Sequence, residues 1–170
     1  MKRAFSIVII TVSLFMAMGC GEQPAGISTP AEPEENMSPQ QLGEAIGTLY
    51  IKAMEEVTVL IKDKPDPETI TAPLQTLKEK YIKHFIKFGE KRKMLPANDR
   101  NTVDSTIRLQ MNKLMHVPWY KTYNDAQMHY HKIDPELRKL ILEFNIITQY
   151  ADFELLKKQA PEEAQRLGIK

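Results

Sequence analysis

The chain of 170 residues has a single cysteine, seven glycines and one tryptophan. One thiol excludes an internal disulfide framework and any zinc or iron–sulfur site built from several cysteines. So few glycines argue against an all-β protein of this size, whose many tight turns would need them. Charge of one sign is also lacking: 23 Lys and Arg oppose 22 Asp and Glu, a net +1, which leaves no overall footprint for nucleic acid. A long hydrophobic run is missing too. Residues 4–18, the most apolar stretch, fall short of the roughly 20 residues that a membrane-spanning helix requires.

Catalytic motifs are equally scarce. Beyond the apolar stretch the serines are Ser28, Ser38 and Ser105, none in the setting of a nucleophile elbow. The carboxylate pairs Glu34-Glu35, Glu55-Glu56 and Glu162-Glu163 have the pattern of solvated charge, not of a glycosidase pair. There is no Gly-rich phosphate loop and no haem-attachment motif, so nothing points to a cofactor or to an enzyme.

What is present starts at the amino terminus. Lys2 and Arg3 precede the apolar run "AFSIVIITVSLFMAM", and Gly19 and Cys20 close it. A basic start, a short apolar core and a small residue before a cut point describe an export signal. Ala17, Met18, Gly19 and Cys20 occupy the four places of a lipobox, and the segment resembles a bacterial lipoprotein signal peptide. The resemblance implies removal of residues 1–19, a diacylglycerol on the Cys20 sulfur and acylation of the new amine. Two or more chains make a stable anchor, because each buried CH₂ contributes about 0.8 kcal/mol. The resemblance further implies a place in the cell envelope. Gly21, where Asp would favour retention at the inner membrane, tilts the expectation toward the outer membrane.

Residues 20–38 hold Pro24, Pro30 and Pro33 with four glutamates and no Lys or Arg, and read as a disordered linker. Residues 39–170 make the domain. It carries 21 basic against 18 acidic residues, with seven basic side chains in the run 78–93. That run interleaves Lys with Tyr81, Phe85 and Phe88, the pattern of an amphipathic helix with a solvated basic face.

Five helices are expected. Ser38-Pro39 starts the first, with Leu42, Ala45, Ile46, Leu49, Ala53, Val57 and Leu60 on one stripe. The second starts near Pro67, and Pro73 either kinks it or moves its start to Thr71 or Ala72. Asn98 or Asp99 would cap a third, striped by Val103, Ile107, Met111 and Leu114. Pro118 breaks the chain before a short fourth. Asp134-Pro135 opens a fifth whose stripe runs from Leu137 through Phe144 and Ile147 to Leu155, followed by a short terminal helix between Pro161 and Gly168. With no strand pattern and no repeat, the expected fold is an all-α antiparallel helical bundle.

The most unusual stretch is "MNKLMHVPWYKTYNDAQMHYH", residues 111–131. Trp119, Tyr120 and Tyr123 could form an exposed platform for an envelope protein partner or a glycan, or could cover one end of the core. His116, Asp125, Met128 and His129 are the candidates for a metal or small-ligand site, thioether and imidazole being suited to soft cations. Asp125 and His129 share a helix face at i,i+4, whereas His129 and His131 point apart. The alternative is core methionine with surface or capping histidine.

Overall fold

The computed structural model describes residues 32–170; the signal segment, Cys20 and linker residues 21–31 lie outside them. The described residues form seven α-helices and two 3₁₀ segments, without a strand. The chain is all-α as expected.

Helix α1 (Pro39–Ile61) begins in a capping box. The Gln41 N–H donates to Ser38 Oγ at 3.2 Å while the Ser38 N–H donates to Gln41 Oε1 at 2.8 Å. Helix α2 (Pro67–Lys93) is capped by Asp66, whose Oδ1 accepts from the Glu68 N–H at 2.9 Å. It includes Pro73, so the later start at Thr71 or Ala72 does not occur. Proline only removes the donor that would reach the carbonyl of Thr69, and the flanking turns continue the helix. Helix α3 (Ala97–Asn112) follows Pro96 with no side-chain cap; Asn98 and Asp99, expected as caps, lie inside its first turn. A 3₁₀ turn (Lys113–His116) and an extended Val117 then lead to α4 (Trp119–Ile133).

The expected fifth helix is in fact three pieces: α5 (Pro135–Glu143), a 3₁₀ segment (Phe144–Ala151) and α6 (Phe153–Gln159). Phe144, Ile147 and Tyr150 are buried at three-residue spacing, which a 3₁₀ coil of 3.0 residues per turn lines up on one side. Eight residues of the tighter coil advance roughly 160° further than an α-helix would. With the extended backbone of Asp152 added, the stripe loses its phase. Leu155 ends exposed, and Phe153 and Leu156 are buried instead. Helix α7 (Pro161–Arg166) ends at Gly168 (φ 70°), where the Gly168 and Ile169 N–H groups return to the carbonyls of Gln165 and Ala164.

The pieces make a bundle of four passes. Helices α1 and α2 are antiparallel, tied by Lys80 to Glu56 at 3.0 Å. Helix α3 runs parallel to α1, Gly43 facing Val103 and Thr106 and Gly47 facing Gln110. Helix α4 carries this pass onward, and the Tyr130 hydroxyl donates to the carbonyl of Pro65 just past the end of α1, at 2.7 Å. The α5–α6 pass returns alongside α2, with Lys78 meeting Glu143 at 2.6 Å and Arg92 meeting Asp152 at 2.9 Å. One core joins them, with Tyr81, Tyr123, Tyr130, Phe85, Phe88 and Phe144 as its largest fully buried side chains.

Candidate functional site

Segment 111–131 divides between inside and outside. Pro118 turns the chain so that Trp119 and Tyr120 are half-buried against the core, and Tyr123 is only 1% exposed. Tyr120 stacks on Tyr123, ring centroids 6.1 Å apart and planes 13° apart. The Tyr123 hydroxyl donates to Asn145 Oδ1 at 2.8 Å and approaches the Ile141 carbonyl at 3.3 Å. Tyr50 of α1 reaches the Asn145 carbonyl at 3.4 Å from the other side. The aromatic group therefore closes the core where α1, α4 and the Phe144–Ala151 segment meet, and of the three candidate platform residues only Trp119 and Tyr120 keep part of their surface in solvent.

Burial fixes the protonation of this cluster. It pushes the Tyr50 hydroxyl up to about 12 and the Tyr123 hydroxyl higher still, because an ionised phenol would lose its hydration. Both stay neutral donors. Their chemistry is that of a hydrogen-bonded lock around Asn145, a residue the apolar periodicity gave no reason to single out.

The four ligand candidates are not gathered. His116 is exposed in the turn before Pro118. Asp125 accepts from Lys121 Nζ at 2.6 Å, one turn back, so its carboxylate is engaged by a lysine on its own helix. Met128 is exposed, and His129 is half-buried with its ring edge-on to Tyr130 at 5.2 Å. Among the described residues no group of three or more His, Cys, Asp or Glu side chains is placed to hold a metal ion.

Two other surfaces have shape. A groove of 750 Å³ between α1 and α2 is walled by Val59, Leu60, Ala72, Pro73 and Leu77 and rimmed by the Glu56–Lys80 pair. Such a surface admits aliphatic groups and rejects unpaired charge. Val59 and Pro73 carried the signal for it: an apolar residue off the core stripe of α1, and a proline inside α2. A second groove of 690 Å³ follows α2 and α5 and is polar, with Lys78, Glu79, Asp134, Glu136, Lys139 and Glu143 along it. No protein-family model, curated protein or solved structure matches this chain.

Proposed function

We propose that the chain is an exported lipoprotein, held at the cell envelope by a lipid on Cys20 and presenting its helical domain as an interaction or accessory module. The observation that carries the reading is Gly19-Cys20 closing a basic-then-apolar segment too short to span a bilayer. Among the described residues no helix is long and apolar enough to cross a membrane. In this reading the lipid is the attachment, and Gly21 directs the protein toward the outer membrane.

The end of the linker supports a domain carried close to its anchor. Residues 32–37, read from sequence as part of the disordered stretch, lie against the bundle, where Glu32 pairs with Lys87 and Met37 packs on the core. The chain between Cys20 and this contact is residues 21–31, and eleven residues reach at most about 38 Å. Cell fractionation tests the reading. The full chain is expected with membranes and its Cys20→Ser variant in the soluble fraction; a variant that stays with membranes overturns it.

A further inference from the structure

Residues 32–37 enter the domain without helix and cross from the start of α1 to the basic face of α2. Their contacts there are electrostatic at one end and apolar at the other. The Glu32 carboxylate pairs with Lys87 Nζ and stands 3.9 Å from His84 Nδ1. Lys91 Nζ donates to the carbonyl of Glu35 at 3.2 Å. Met37 packs against the core, and Glu32, Glu34 and Met37 line a 560 Å³ cavity together with Ala45, Leu49 and Phe88.

We propose that residues 32–37 are an electrostatic strap, closed over this cavity by Glu32 on Lys87 and released when that pair is broken. Three observations set its balance between closed and open. The pairing groups are 59% and 48% exposed at their side chains, and exposed pairs contribute about 1 kcal/mol or less and are screened by salt. Complementarity is local: Lys87 meets the Glu32 carboxylate and Lys91, four residues on along the same face of α2, meets the Glu35 carbonyl. Closure also has a cost, because His84 Nδ1 is buried without a hydrogen-bond partner 3.9 Å from the Glu32 carboxylate. Near-balance between these terms is what a switchable contact requires. The strap thereby couples the chain leaving the domain to the α1–α2 cavity.

The test is a distance measurement in the full chain carrying Cys20→Ser, with nitroxide labels at Asn36→Cys and Glu55→Cys, both exposed in the parent residues. At low ionic strength a narrow distance distribution is expected. Lys87→Glu, or about 1 M sodium chloride, where the screening length is about 3 Å, is expected to lower the narrow fraction about threefold. The reciprocal double variant Glu32→Lys/Lys87→Glu is expected to recover it at low salt, and unchanged helical circular dichroism shows that each variant is folded. A distribution narrow under every condition overturns the proposal, as does one broad in the parent chain at low salt. Failure of the double variant to recover the narrow fraction overturns it as well. None of these outcomes depends on whether Cys20 carries lipid.

Discussion

The seam between α1 and α3 and the seam between α2 and the α5–α7 segment are closed by different physics. At the first, Gly43 and Gly47 bring two parallel helices to backbone distance. A Cβ on Gly43 would lie 2.6 Å from the Thr106 Cβ and 2.7 Å from the Val103 carbonyl oxygen. At the second, charge crosses the gap: Lys78 to Glu143, Arg92 to Asp152, and Arg166 to Glu79. Close approach fails by collision and is indifferent to solvent. Ion pairs fail by loss of a partner and depend on pH and salt. The comparison teaches where each seam is vulnerable.

The largest effect is expected from Gly43→Val, which must push α3 off α1 because a backbone oxygen cannot rotate away. We expect a loss of about 3 kcal/mol, the upper end of overpacking costs, measured by urea unfolding. Gly89→Ala makes the same test where α2 meets α6, and there the neighbour is a side chain. Its Cβ meets the rim of the Phe153 ring, a side chain that can turn aside, so about 1 kcal/mol is expected.

Arg92→Met addresses the charged seam. Arg92 is 7% exposed and its guanidinium reaches Asp104 through Nε and Nη2 at 2.9 to 3.1 Å and Asp152 through Nη1 at 2.9 Å. Removing it leaves two carboxylates without the cation they share. Both side chains keep some exposure, 32% and 24%, so water offsets part of the penalty for a broken buried pair. The expected loss is about 2 kcal/mol by urea unfolding, below the usual range for full burial.

A smaller, regional effect separates the seams by pH. Arg166, hydrogen-bonded to Glu163, holds that carboxyl below its ordinary value of 4.5, helped by the Tyr150 hydroxyl. A carboxyl lowered on folding contributes stability above its unfolded value and loses it as pH falls through the folded one. Hydrogen-exchange protection factors, corrected for intrinsic rates, are therefore expected to fall in α6 and α7 as pH drops below the ordinary carboxyl value of 4.5. Amides of α1 facing α3 should keep theirs until the whole domain unfolds.

Much of the fold was legible because its starts are local. Ser38-Pro39, Asp66-Pro67 and Asp134-Pro135 each place a cap and a proline where the helix begins, and each does so in the structure. What escaped was non-local. Gly43 and Gly47 gain their meaning only when α3 is placed against them. Arg92 read as one more member of a basic run, yet it is the member that turns inward, because Asp104 and Asp152 arrive from two other passes. Asp152 caps α6 and pairs with Arg92 at once, but the apolar residues around it suggested an unbroken helix. Of the candidate platform, proline before Trp119 marked the turn correctly, whereas the burial of Tyr123 depends on Asn145, which lies 22 residues away.

The central claim concerns the other end of the chain, and intact-mass measurement of the protein extracted from membranes tests it most directly. The account predicts a polypeptide beginning at Cys20, heavier than its sequence by a diacylglycerol and an amide-linked acyl chain, with the added mass absent from Cys20→Ser. A mature chain that begins elsewhere, or that begins at Cys20 with an unmodified thiol, would contradict it.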